Sequence, residues 1–177
     1  MLQVGCVAVA RCSISFAFDG TGDPARIAAI ALVDGQIFYA DCERPRTIVD
    51  RWAERADLQI MGPELLSIAL ALSSFEEMCA KRRVVVHSDN SGAEFCLRKG
   101  AAKRSDHCIL VNAIWTHALA RSMHLWIVRV GTHDNWADSP SRCEYSTLDL
   151  VGAVRCKPRH ADVYSIDDTC AVVCRSC

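Results

Sequence analysis

The chain has 177 residues, enough for one domain that buries roughly 70% of its unfolded surface and holds a core without disulfides. Its 20 basic and 21 acidic residues give a formal net charge of −1, so overall charge does not indicate nucleic-acid binding, which must come from local patches. No membrane span is predicted, because the apolar residues 1–10 lack a basic start and are too short to cross a bilayer.

The first predicted elements are three strands. Residues 13–19 alternate between larger apolar and small or polar side chains, as in a half-buried strand. Two further apolar runs, at 27–33 and 36–40, flank Asp34 and Gly35. An Asp-Gly pair between two such runs is a strong hairpin signal, so the second and third strands are predicted to be antiparallel neighbours.

Helices and strands then alternate after a charged connector at residues 41–57. A helix opens at Gly62-Pro63 and runs to about Ala80, with Glu64 on a stripe of apolar residues that faces the sheet or its rim. The later elements are a strand at 84–89, a short helix at 91–99, a helix from Ser105 or Asp106 to about Arg121, a strand at 125–130, and a helix opened by Asp138-Ser139-Pro140.

Four acids fall at structurally special places in this order. Asp19 ends the first strand, Glu64 is on the apolar stripe of a helix, Asp89 ends a buried strand, and Asp138 is predicted to cap a late helix. A carboxylate near a core costs several kcal/mol unless it is neutralised, paired or bound to a metal. If the first and fourth strands are parallel neighbours, Asp19 and Asp89 become adjacent, and a divalent cation would relieve their repulsion.

This ligand set predicts a particular chemistry. Carboxylate oxygens suit Mg²⁺ or Mn²⁺ better than zinc. Two such ions, about 4 Å apart, activate a water and stabilise the leaving oxygen of a phosphodiester. Phosphoryl hydrolysis is the reaction predicted from these residues.

Four motifs resemble the ribonuclease H family in order and spacing. They are F-D-G-T-G at 18–22, P-E-L-L-S-I-A-L-A-L at 63–72, V-V-H-S-D-N at 85–90 and N-W-A-D-S-P-S-R at 135–142. The last is similar to the ribonuclease H domains of reverse transcriptases in DIRS-like and Pao-like retroelements and in hepadnaviral polymerases. The resemblance covers residues 13–142, and residues 1–142 are predicted to form one ribonuclease H-like domain. Residues 143–177 are a cysteine-containing C-terminal extension of unknown structure.

The resemblance implies an α/β fold: a five-stranded mixed sheet, with three antiparallel strands and two parallel ones, flanked by helices. It implies that the RNA strand of an RNA–DNA hybrid is cut with two metal ions held by four acids. In this sequence the matching positions are Asp19, Glu64, Asp89 and Asp138. A neighbouring reverse transcriptase domain is the expected partner. The near-neutral net charge of this chain fits a module whose affinity for nucleic acid is supplied in part by such a neighbour.

Further site residues are predicted around these acids. His133 lies in the predicted loop before Asp138, where it would shuttle protons or assist product release. It is closer to the last acid than the corresponding histidine of cellular family members, and the alternative is a surface histidine without a catalytic role. Phosphate contacts are predicted in a basic loop, at Arg98, Lys99, Lys103 and Arg104. The 2′-hydroxyl groups of the RNA strand would be recognised by the backbone of residues 20–22, which include Gly20 and Thr21, or by Asn90 and Ser91.

Other features have structural interpretations. Trp115 and Trp126 fall in apolar periodic segments and are predicted to pack in the core or at its rim. The 11 cysteines are predicted to be mostly reduced, in an intracellular protein, because no signal peptide or secreted-scaffold spacing accompanies them. Cys170, Cys174 and Cys177 have knuckle-like spacing without a matching second pair, so a zinc site there is disfavoured.

Two functional alternatives remain open from the sequence. One is a domesticated or decayed copy that keeps the fold and only binds nucleic acid or protein. The other is an integrase or exonuclease of the same superfamily, which shares the fold but not the reaction.

Overall fold

A computed structural model describes residues 11–19, 26–43 and 61–159 of the chain. The strands are β1 (Arg11–Asp19), β2 (Arg26–Val33), β3 (Gln36–Glu43), β4 (Arg83–Ser88), β5 (His124–Arg129) and β6 (Val154–Arg155). The helices are α1 (Met61–Ser74), α2 (Glu76–Cys79), α3 (Ser91–Lys99), α4 (Ser105–Ala120), α5 (Asp138–Ser141) and α6 (Ser146–Leu150). None of the helices in these ranges is long and apolar enough to span a lipid bilayer.

The hairpin predicted from Asp34 and Gly35 is confirmed. β2 and β3 pair antiparallel, with Val33 opposite Gln36, so the turn contains only two residues. The backbone φ angles are 50° at Asp34 and 85° at Gly35. Two-residue hairpin loops favour turns in which both central residues have positive φ, and aspartate followed by glycine adopts them readily. β1 pairs antiparallel with β2 on the other side.

The sheet has the strand order β5-β4-β1-β2-β3-β6. β4 runs parallel to both β1 and β5, so the predicted set of three antiparallel and two parallel strands is confirmed. The prediction of five strands was one too few, since β6 adds a sixth, parallel to β3. Two residues are too short to show the alternation by which strands are recognised in a sequence.

The main core lies between the sheet and the helices α1 and α4. Apolar side chains of β1, β2 and β4 belong to this core; α1 lies against β1 and β2, and α4 packs on α1 and contacts β5. α1 was predicted to continue to about Ala80 but ends at Ser74, and the short α2 follows. Near this end the Ser73 hydroxyl donates a hydrogen bond to the backbone oxygen of Ala69 at 2.9 Å, a bond that disturbs the regular helix.

The fourth helix, α4, begins at Ser105, one of the two predicted start residues, but neither Ser105 nor Asp106 caps it: the residue before the helix is Arg104, whose side chain makes no capping bond. The prediction that Trp126 packs in the core or at its rim was wrong. Trp126 is 69% exposed. It belongs to the edge strand β5, where the neighbouring Leu125 and Ile127 face the core, so its indole lies on the opposite face. Trp115 is partly buried against the core, as predicted.

A second, smaller cluster covers the other face of the sheet. Ile30 and Tyr39 pack there with Ala137 and with Leu148 of α6. The described part of the C-terminal extension, residues 143–159, therefore lies against the sheet. Residues 160–177, with Cys170, Cys174 and Cys177, lie outside the described part. The predicted division of the chain at residue 142 stays a prediction.

Candidate active site

Glu64 lies in the first turn of α1 and is buried, with 5% of its surface exposed. Burial, and then the negative charges of Asp89 and Asp138, raise the pKa of its carboxyl to about 8. Its Oε2 atom is buried and has no hydrogen-bond partner within the described residues. Such an oxygen is unfavourable unless a proton or a cation neutralises it. The three acids therefore form one electrostatically coupled site, in which Glu64 Oε2 has no partner among the described residues.

Asp89 is positioned by the corner between β4 and α3. It directly follows Ser88, the last residue of β4, whose side-chain oxygen accepts a hydrogen bond from the backbone N–H of Asn90 at 3.2 Å. The side chain of Asn90 then caps α3 by accepting from the backbone N–H of Ala93 at 3.0 Å. These two bonds satisfy local backbone donors, which leaves Asp89 at a defined place between strand and helix.

Asp138 is the first residue of α5. The predicted N-cap role is wrong, because Ala137 occupies that position and no side chain caps the helix. The carboxylate instead pairs with Arg142 one turn later, with 3.0 Å between Oδ2 and the guanidinium. α5 contacts β1 and β2. This packing holds Asp138 against the sheet, near Glu64.

Asp19 is the last residue of β1, and its backbone pairs with Arg26 of β2. Its side chain lies outside the described part of the structure. β1 and β4 are parallel neighbours, as the sequence argument required, with Ser15 beside His87. Parallel strands end at the same edge of a sheet, so the backbone of Asp19 and that of Asp89 lie at one edge.

The fit of this site to a metal rests on Glu64. Among the described side chains, no group of three or more His, Cys, Asp or Glu residues stands at metal-binding spacing. Carboxylates without a counter-ion repel one another, which favours wider spacing. The unpartnered oxygen of Glu64 and the purely carboxylate character of the set nevertheless match what a hard divalent cation prefers.

Comparison with known proteins rests on structure alone. No protein-family model matches the chain, and no curated protein matches it. The N-terminal ribonuclease H domain of a Mycobacterium tuberculosis protein, solved as a fusion with maltose-binding protein, superposes with a TM-score of 0.55 at 12% identity, over 81% of this chain and 96% of that one. Ribonuclease H1 from the halophilic archaeon Halobacterium salinarum superposes with a TM-score of 0.50 at 11% sequence identity, over 80% of this chain and 98% of that one. This chain has a ribonuclease H-like fold.

Within this ribonuclease H-like fold, the predicted basic residues lie at the end of α3 and in the loop that follows it. Arg98 pairs with Glu94 at 3.0 Å, and the Lys99 ammonium lies 5.8 Å from the centre of the Phe95 ring. Lys103 and Arg104 are exposed in the loop. Asn90 and Ser91 begin α3 beside Asp89, whereas Gly20 and Thr21 lie outside the described residues. His133 is exposed in a 3-10 turn at Thr132–Asp134.

Phe95, which is not among the site residues predicted from the sequence, is 64% exposed on α3. The buried residues of this helix are Ala93, Cys96 and Leu97, so Phe95 lies outside its apolar stripe. An aromatic residue four positions before Lys99 on a short helix was the available signal. Phe95 and the basic residues make this end of α3 an exposed surface that is both aromatic and positively charged.

Asp41 of β3 was also missed, because it was assigned to the charged connector. Its side chain has 0% exposure and pairs with Arg26 and with Arg155, the latter at 2.8 Å. The phenol of Tyr145 donates to the same carboxylate at 3.0 Å. Tyr145 and Arg155 belong to the C-terminal extension. Asp41 therefore fastens residues 145–155 to the sheet in the ribonuclease H-like fold.

Proposed function

We propose that this protein is a metal-dependent endoribonuclease that cleaves the RNA strand of RNA–DNA hybrids. The observation that carries the proposal is the buried, unpartnered carboxylate of Glu64, whose pKa is raised to about 8 by burial and by Asp89 and Asp138. A structural role would have supplied Glu64 with a donor or a cationic side chain. A carboxyl group whose pKa is strongly shifted, and which lies among other acidic residues, is typical of a functional site.

Asp19, Glu64, Asp89 and Asp138 would hold two Mg²⁺ or Mn²⁺ ions. When bound, the ions would activate a water and stabilise the leaving oxygen of the scissile phosphodiester. Arg142 restrains the Asp138 carboxylate through its 3.0 Å ion pair. His133, exposed in the turn before α5, is proposed to carry protons to and from solvent.

The proposed substrate path crosses α3. Arg98, Lys99, Lys103 and Arg104 would neutralise phosphates next to the acids. Asn90 and Ser91, with Gly20 and Thr21, would contact the 2′-hydroxyls that distinguish RNA from DNA. The N-x-A-D-x-x-S-R motif at 135–142 supports a ribonuclease H module of a retroelement reverse transcriptase. We propose that the polymerase domain is its intracellular partner, adding affinity that a net charge of −1 does not provide.

The proposal predicts that Asp89→Asn reduces cleavage of a hybrid by at least about 100-fold, since one metal-binding oxygen becomes an amide. The assay uses a labelled RNA–DNA hybrid, duplex DNA and single-stranded RNA, each with Mg²⁺, Mn²⁺ or chelator. Asp149→Asn, at an exposed aspartate of α6, is the matched control and is expected to cleave normally. Hybrid binding without any cleavage would indicate a non-catalytic module, and cleavage of duplex DNA would indicate an integrase-like or exonuclease-like enzyme.

The exposed aromatic ring on α3 gives a separate prediction. Phe95→Ala is expected to weaken hybrid binding by about tenfold, equivalent to about 1.4 kcal/mol, because an aromatic contact with a nucleotide is lost. The turnover rate at saturating substrate should not change, since Phe95 is not one of the acids. Leu119→Ala removes a similarly exposed apolar side chain from α4 and should have no effect. Equal affinities of the two variants for hybrid would contradict this substrate path.

A further inference from the structure

Two cysteines that are distant in sequence meet inside the core. Cys12 of β1 and Cys79, the last residue of α2, are both fully buried. Their sulfur atoms lie 3.1 Å apart, although the residues are 67 positions apart in the chain. A disulfide has a sulfur–sulfur distance of about 2.05 Å, so the atoms need to approach by only about 1 Å.

The surroundings of the two thiols make them chemically unequal. The pKa of Cys12 is lowered, chiefly by its hydrogen bond with Cys79, against the opposing effect of burial. The pKa of Cys79 is raised by the same hydrogen bond and by burial. The positive charge of Arg82, which is paired with Asp34 at 2.7 Å, lowers the pKa of both thiols, and Asp34 partly opposes it at Cys12. Cys12 is therefore the better nucleophile, since the thiolate is the reactive form.

We propose that Cys12 and Cys79 are a site of reversible oxidation that forms a disulfide between β1 and α2. A hydroperoxide is the oxidant: the Cys12 thiolate attacks its O–O bond, which gives a sulfenic acid and releases an alcohol, or water from hydrogen peroxide. The Cys79 sulfur then attacks the Cys12 sulfur, and the hydroxyl leaves as water with the Cys79 proton. The two thiols lose two protons and two electrons in total, and a dithiol reductant restores them.

The position of the bond predicts its effect. Cys12 lies near the start of β1 and Asp19 at its end, while Cys79 follows the end of α1 and Glu64 lies at its beginning. The disulfide would join these elements at the side of the fold remote from the acids. A bond closing so long a loop stabilises mainly by restricting the unfolded chain. Oxidation should raise thermal stability without blocking the acidic site. α2 has only four residues and no side-chain cap, so local opening of this helix is the proposed route of the oxidant to the buried pair.

The test uses the full chain, reduced and then treated with hydrogen peroxide, blocked with an alkylating reagent, digested and analysed by mass spectrometry without reductant. The expected result is a linked peptide pair containing Cys12 and Cys79, and a melting temperature several degrees above that of the reduced protein. Cys12→Ser should lose both effects, whereas Cys96→Ser, at another buried cysteine, should keep them. The mapping is done on the unaltered chain, so a variant that fails to fold does not affect it.

Three results would overturn the proposal. One is the recovery of Cys12 and Cys79 as alkylated thiols or terminal oxidation products after peroxide treatment. Another is a disulfide that links either residue to a different cysteine. The third is a linked pair with an unchanged or lower melting temperature, which would show that the bond strains the fold.

Discussion

Glu64→Gln is expected to abolish hybrid cleavage and to stabilise the metal-free protein at about pH 8. The loss of cleavage should exceed the roughly 10–100-fold cost of removing a residue that only supports a metal ligand. The stabilisation follows from the carboxyl pKa, which is about 8 in the folded protein against 4.5 for an ordinary glutamate. Between these values the folded state holds a proton that the unfolded state has released, so stability falls as pH rises. Glutamine has no such proton and avoids this loss.

The measurement is urea denaturation of both proteins with chelator, at about pH 5 and about pH 8. The stability difference in favour of the variant should widen by up to a few kcal/mol between the two pH values. Added Mg²⁺ should stabilise the unaltered protein more than the variant, because it binds the ionised carboxylate. Glu144→Gln, at an exposed glutamate, is the control and should show neither effect. A difference that is the same at both pH values would contradict the assignment of Glu64 as an uncompensated buried acid.

Asp41→Ala is expected to cost about 1–3 kcal/mol of folding free energy, because the mostly buried Arg26 loses its charged partner while the 56% exposed Arg155 is solvated by water instead. Arg26 and Arg155 would lose their shared carboxylate, and the Tyr145 phenol its acceptor. The pKa of Tyr145 is raised to about 12 by burial and then by the hydrogen bond to Asp41. That pKa should therefore fall in the variant, and a spectroscopic titration of tyrosine would detect the change.

The matched control for Asp41 is the exposed pair of Glu77 and Arg159, which lie 3.0 Å apart with 79% and 55% of their side chains exposed. Glu77→Gln should change stability by less than about 0.5 kcal/mol, because solvent screens exposed pairs. Denaturant titration compares the two variants directly. Similar small losses in both would show that the extension is not fastened to the sheet by Asp41.

Local periodicity alone predicted where two of the acidic residues lie in their elements. It placed Glu64 on an apolar stripe of a helix and Asp89 at the end of a buried strand. Their electrostatic coupling to each other and to Asp138 was a hypothesis, since it depends on how α1, β4 and α5 pack. The structure supplies that coupling through the raised pKa of Glu64.

Local patterns by themselves determined the hairpin at Asp34 and Gly35, the strands that surround it, and the order of the longer helices and strands before residue 142. These features depend on residues a few positions apart, where backbone preference and side-chain alternation act directly.

Only the tertiary structure decided which distant residues meet. Strand order placed β5 at an edge and so exposed Trp126, and β6 brought Arg155 to the buried carboxylate of Asp41. The packing of α2 against β1 brought the sulfurs of Cys12 and Cys79 to 3.1 Å. Such pairings depend on register and sheet order across tens of residues, for which a sequence carries no local signal, because many alternative pairings satisfy the same alternation of side chains.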